Sequence, residues 1–229
     1  MPERCILCFF HDVIRQRAAT GDLELLMRLR GEGEPISVYR LARGGDPVTV
    51  AWPGVGAPFA ATTLEELIAL CGRMFVCAGW AGVLDGSIPV GHVVVPTAAL
   101  RAEGTSYHYQ RRGRFSRPHP LAVRAIRRAC REAGVTVVTG ATWTTDAVYR
   151  ETPGMIRRRR AEGCITVEME AAAFFAVARF RGVVLGQLLY AGDDLSGETW
   201  DHRRWTDQTD ARSRLFDLAV AACRLIPPP

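Results

Sequence analysis

The chain has 229 residues and a mass of 25.2 kDa, enough for one large domain or two small ones. No run approaches the roughly 18 uninterrupted apolar residues of a membrane helix, and 48% hydrophobic with 23% charged residues excludes a disordered or fibrous chain. All 29 basic residues are Arg, net charge is +5, and residues 101–160 hold 14 Arg against 4 acids. That patch fits phosphate or nucleic acid, or more simply a solvated helix face and a loop; without a nucleic-acid motif the simpler reading is preferred, and no nucleic-acid partner is expected.

In chain order, Met1–Arg4 opens without a small-residue cleavage site, so no secretory signal is expected. Arg4–Phe10 reads as a short buried strand and His11–Arg17 as a helix start. Gly21–Arg30 reads as a helix stopped by Gly31 and Gly33. Ile36–Ala42 and Val48–Trp52 read as strands of a hairpin around Arg43–Pro47. A Gly-rich turn, Pro53–Pro58, leads into a helix over Phe59–Leu70. Strands are predicted at Met74–Ala78 and Gly91–Ala98, a long loop at 101–118, a helix at Pro120–Ala133 and a strand at Val135–Thr142. Then come a helix at Thr152–Glu162, a strand at Cys164–Val167, a helix at Glu168–Phe180 and a strand at Val183–Tyr190. A last helix, Thr206–Leu225, is stopped by three Pro. The interleaving argues one α/β domain over 1–229, its sheet largely parallel and covered on both faces. Seven Cys without His partners at zinc spacing read as reduced thiols of a cytoplasmic protein, with Cys5, Cys71, Cys77, Cys130 and Cys223 buried, no metal and no membrane partner.

Ligands of such folds sit at the carboxyl ends of strands, and four ends are chemically rich. Gly54-Val55-Gly56 offers backbone N–H groups ahead of a helix N-terminus. Gly79-Trp80-Ala81-Gly82 sets an aromatic among small residues. Glu168 and Glu170 stand in the first turn of an apolar helix, about 200° apart in azimuth, so one can face a cavity while the other is tied to structure; a dipole or capping role and a ribose diol both fit. Asp193-Asp194 suits a general acid, a metal site or a turn.

At these residues the sequence resembles a known family. Gly163–Phe174, which includes Val167-Glu168-Met169-Glu170, is similar to the signature of the nucleoside phosphorylase superfamily: uridine phosphorylase, hexameric purine nucleoside phosphorylases and methylthioadenosine nucleosidase. Gly54–Pro58, Val90–Pro96 with Glu103–Tyr109, and Trp143–Asp146 with Tyr149–Thr152 agree in order. The resemblance implies a three-layer α/β/α fold with a twisted mixed central sheet and cleavage of a nucleoside N-glycosidic bond. By position, Glu170 would hold the ribose hydroxyls, with Glu168 beside it, Met169 would pack under the sugar, and Asp193 would protonate the leaving base. Gly56, Gly79, Trp80, Tyr149 and Arg150 join the expected substrate-binding set. A homo-oligomer, dimer or hexamer, is implied, and the Trp200–Trp205 segment and the 107–115 loop suit an interface or a lid.

The departures concern phosphate. The Gly-Asp-Pro-x-x-Arg loop after the first strand is replaced by Phe9-Phe10-His11-Asp12. Cys77 stands where a second phosphate Arg is expected, Trp80 where a hydroxyl is expected, and Val148 in place of an aromatic that stacks on the base. Either phosphate is a co-substrate held by other arginines, Arg111, Arg112, Arg114 or Arg150, or water is the nucleophile, with His11 or Asp12 as base. His108 either reaches the site or packs with Tyr107 and Tyr109. The expectation is phosphorolysis to free base and ribose 1-phosphate, with hydrolysis and a silent nucleoside binder as alternatives, and no organic cofactor.

Overall fold

The computed structural model describes residues 1–31, 33–41 and 43–228. In chain order the elements are β1 (Arg4–Cys8), α1 (His11–Ala19), β2 (Leu23–Leu29), β3 (Ile36–Leu41), β4 (Val48–Ala51), α2 (Ala57–Ala69), β5 (Met74–Val83) and β6 (Val93–Ala102). They continue with α3 (Ser106–Tyr109), β7 (Phe115–Ser116), α4 (Pro120–Glu132), β8 (Val137–Thr145), α5 (Pro153–Ala161), β9 (Cys164–Glu168), α6 (Ala171–Arg181), β10 (Val184–Asp194) and α7 (Thr209–Leu225). The ten strands form one mixed sheet in the order β10-β6-β8-β9-β5-β1-β4-β3-β2, with β7 on β6.

A further pairing, β10 with β5, closes five of these strands on themselves. Around the ring, β5–β10 is parallel, β10–β6 antiparallel, β6–β8 and β8–β9 parallel, and β9–β5 antiparallel. The sheet is therefore mixed rather than largely parallel. Apolar side chains of α1, α4 and α7 fill one side, and those of α2 and α6 the other, giving the three layers expected. The α6 sequence AAAFFAVA is buried throughout, as expected of a helix apolar all round.

Four local expectations are corrected. Residues 23–29 form strand β2, not a helix, because Leu23–Leu29 pairs antiparallel with β3 and pairing overrides the helical propensity of Leu, Glu and Arg. Strand β5 does not end at Ala78 but runs through Gly79-Trp80-Ala81-Gly82 to Val83, since β10 and β9 pair along it. Glu168 ends β9 and α6 starts only at Ala171, so Glu168 and Glu170 do not share a helical turn. Residues 101–118 contain α3 and β7, fastened by buried Arg101, which donates to Ser106 Oγ at 2.8 Å and to the Gly113 and Gln110 carbonyls at 2.8 and 2.6 Å. Among the thiols, Cys71 is exposed rather than buried, in a left-handed turn at φ +79°. Ala42, the expected end of a strand, and Pro229 of the tail lie outside the described residues. Among those described, no helix is long and apolar enough to cross a membrane and no cluster of His, Cys, Asp or Glu suits a metal ion.

Candidate active site

A cavity of about 600 Å³ opens where β5, β9 and β10 end and α6 begins. Two of its carboxylates flank the start of α6 and have separate jobs. Glu168 Oε1 accepts from Thr144 Oγ1 at 2.6 Å, and Oε2 accepts from the Glu170 and Ala171 N–H groups at 2.8 and 2.6 Å. Thr144 Oγ1 in turn accepts from Ala172 N–H. Glu168 thus satisfies donors at the helix N-terminus that would otherwise lack partners. Burial raises its proton affinity, and these donors oppose the rise.

Glu170 is 6% exposed, lines the cavity, and accepts from Gly56 N–H at 2.6 Å. Burial, then the charge of Glu168, raises its proton affinity above that of an ordinary carboxyl. The Gly56 donor is presented by a backbone at φ +89°, a conformation glycine adopts without steric cost. At Gly54 a Cβ would stand 1.9 Å from the Phe59 ring, so that turn is closed to larger residues. Glu168 and Glu170 both line the cavity, and the difference between them lies in their partners, three donors at Glu168 against one at Glu170. The cause of that difference is a strand end followed by a helix start, not helical azimuth.

The ladder of β10 shifts register between Ala191 and Asp194. Asp193 lines the cavity and accepts from Trp200 Nε1 at 2.6 Å. Asp194 is committed to the loop: it accepts from Ser196 N–H at 2.8 Å and pairs with Arg203, whose other nitrogen reaches the Ile88 carbonyl. The wall beside Asp193 is Gly82, where a Cβ would come within 2.6 Å of Leu195 and 3.5 Å of Asp193 Oδ1.

Trp80 stacks on Trp205 at 5.1 Å with planes 20° apart, and Phe9 meets Trp80 edge-on at 6.3 Å. These rings form an apolar wall. Met169, Gly79 and Tyr149 also line the cavity, as expected, Tyr149 being almost fully exposed at its mouth.

Other expected site residues lie elsewhere. His11 stacks on Trp52 at 4.5 Å, and Asp12 pairs with Arg212 at 3.2 Å. Neither lines the cavity, because α1 starts immediately after Phe10 and carries both toward α7 and the hairpin. Gly56 serves through Glu170, and Arg150 is exposed outside the lining. Arg114 pairs with Glu162 at 2.8 Å, and His108 lies in a separate shallow cleft with Asp146.

Two lining residues were missed in the sequence. Glu151 follows the 3-10 turn Val148–Arg150, and burial, then Asp193, pushes its carboxyl up to about 7. Gln187 lies within the apolar run of β10. An acid two positions after Tyr149 and a lone amide among leucines were the available signals. Among the described residues, the lining holds Glu151, Glu168, Glu170 and Asp193 and no cationic side chain.

The family model of the Phosphorylase superfamily matches residues 5–224. This chain belongs to that superfamily. The superfamily member is 31% identical over 202 residues to guanosine phosphorylase of Halorubrum lacusprofundi, covering 85% of this chain and 84% of that one. It is 28% identical over 203 residues to uridine phosphorylase of Thermococcus kodakarensis, covering 79% and 73%. In fold it is similar to AMP nucleosidase from Bacteroides thetaiotaomicron, with a TM-score of 0.80 at 22% identity over 99% and 89% of the two chains. It is also similar to purine nucleoside phosphorylase from Toxoplasma gondii in complex with immucillin-H, with a TM-score of 0.83 at 21% identity over 97% and 90%. It is an enzyme of the Phosphorylase superfamily.

Proposed function

We propose that this enzyme hydrolyses the N-glycosidic bond of a nucleoside, with water taking the ribosyl group. The observation that carries this reading is the lining: four carboxylates and no cation. A phosphate dianion there finds no cationic partner in the lining, and each carboxyl that is ionised repels it by about 4 kcal/mol per pair of unit charges at 4 Å in a partly screened site. Water and a neutral nucleoside meet no such penalty.

In this reading Glu170 accepts hydrogen bonds from the ribose diol and is held in place by Gly56 N–H. Met169 packs against the sugar. The base lies against the Trp80–Trp205 wall, near Asp193 and Glu151. Glu151 holds a proton near neutrality, because burial, then the charge of Asp193 beside it, pushes its carboxyl up to about 7. The proton passes to the base as the C1′–N bond breaks. Positive charge building on the ribose is stabilised by the surrounding carboxylates.

Phosphorolysis, the expectation from sequence, remains the second reading, favoured by the names of the two curated relatives. It requires a homo-oligomer in which a neighbouring subunit lends cations to the cavity. A silent binder is disfavoured, since binding alone does not call for a paired acid at the base. The test is product chromatography with guanosine, inosine, adenosine and uridine, with and without inorganic phosphate. Hydrolysis predicts equal release in both buffers and free ribose. Release only with phosphate, yielding ribose 1-phosphate, overturns it.

A further inference from the structure

The side chain of Gln187 is 1% exposed, lines the cavity, and its Oε1 has no hydrogen-bond partner. A buried amide oxygen without a partner costs about 1–3 kcal/mol. Its neighbours along β10 are Leu185, Gly186, Leu188 and Leu189, so an apolar residue would suit the strand better. A polar group kept unpaired against a cavity marks a place where a ligand supplies the missing donor.

Its position says which ligand. Gln187 pairs in register with Cys77 of β5 in the parallel ladder, so the two side chains stand on the same face of the sheet. Cys77 is the position to which the family resemblance gives a phosphate arginine. Its thiol is pushed well up by burial, then by the charges of Glu170 and Glu168, so it is neutral and lies within their field. Two residues on, a Cβ at Gly79 would meet Phe9 at 3.0 Å and Leu189 at 3.6 Å. This part of the lining thus has a neutral amide, and the buried Cys77 beside it supplies no cation for phosphate.

We propose that the Gln187 carboxamide holds the attacking water, accepting one O–H on Oε1 while the water oxygen faces C1′. This rests on the hydrolytic reading. As the water oxygen bonds to C1′, the C1′–N bond breaks and its electron pair goes to the base nitrogen. The base takes a proton from the Asp193–Glu151 pair. The added water releases a proton to Glu170; Glu170 gives it up to solvent and the acid regains one from solvent, so the net reaction is nucleoside plus water to ribose plus base.

The test is Gln187→Leu, assayed on whichever of guanosine, inosine, adenosine and uridine the wild type cleaves, with thermal unfolding of the same samples. Loss of the water's anchor predicts a fall in kcat of about a hundredfold with KM within about twofold. The same variant should melt higher than wild type without substrate, because the unpaired amide is gone. Gln187→Asn, which keeps the amide one methylene short, should recover part of the kcat. A Leu variant with wild-type kcat overturns the inference alone, as does one that loses kcat and also melts lower, since that marks a structural amide. Wild-type release that requires phosphate, or no release at all, overturns the hydrolytic reading and this inference with it.

Discussion

The indole of Trp200 donates to Asp193 Oδ2 at 2.6 Å, so a residue that is 60% exposed orients a carboxylate inside the cavity. The aim of the proposed acid is therefore set by a surface segment. Trp200→Phe keeps the ring and removes the donor. A fall in kcat of about tenfold is expected with little change in melting temperature, measured by steady-state kinetics beside thermal unfolding.

Asp193→Asn removes the proton donor and preserves shape. Turnover should fall by about 10²–10⁴, while nucleoside binding followed by calorimetry persists. Asp194→Asn should act differently, loosening the contact with Arg203 and lowering stability more than chemistry.

Glu170→Ala leaves the Gly56 N–H without its partner and the diol without its clamp. A loss in kcat/KM of about 10²-fold or more is expected on ribonucleosides. The loss should be smaller on 2′-deoxynucleosides, which offer one hydroxyl fewer. Equal losses on both would remove Glu170 from the sugar site.

The legibility of this molecule in its sequence is uneven for physical reasons. The buried strands and the α6 helix stand out because their apolar patterns are strong. Strand β2 is hidden because Leu, Glu, Met and Arg favour a helix in isolation and become a strand only by pairing with the next strand, β3, across Gly31 and Gly33, which read equally well as a helix stop. Glu170 and Asp193 were legible through motif resemblance, and both line the cavity. His11 and Asp12 follow a strand end, where the sequence suggests site residues, but a helix start turns both away. Glu151 and Gln187 were invisible because their significance lies in burial and in missing partners, which no spacing encodes.

Glu151 makes stability depend on pH. Its carboxyl is raised from 4.5 to about 7 by burial and Asp193, so the folded state binds its proton more tightly than the unfolded chain. The contribution is fully present below about pH 4.5 and is lost as pH rises through 7. Glu151→Gln removes that titration. The melting temperature of the variant relative to wild type should climb as pH is raised from 5 to 8, and a flat difference would contradict the assignment.

Arg101 is buried with hydrogen bonds to Ser106 and two carbonyls, and its guanidinium lies 4.0 Å from the Tyr107 ring centre. Arg101→Ala removes three hydrogen bonds that fasten the segment from Ser106 to Gly113. Urea denaturation should show a loss of about 1–3 kcal/mol, with proteolysis between residues 105 and 115 appearing first.

The five-stranded ring formed by β5, β10, β6, β8 and β9 has no free edge. Each member must break ladder bonds on two sides before it can shift, so the floor that carries Gln187, Glu168 and Asp193 is the stiffest part of the molecule. Any yielding on ligand entry falls to the rim, the turn at Val148–Glu151 and the segment from Trp200 to Trp205. Tolerance for bulky or modified bases is consequently a property of two short stretches of surface chain. Because Trp200 aims Asp193, and Glu151 lies on the other stretch, substitution there alters what enters and the aim of the acid together.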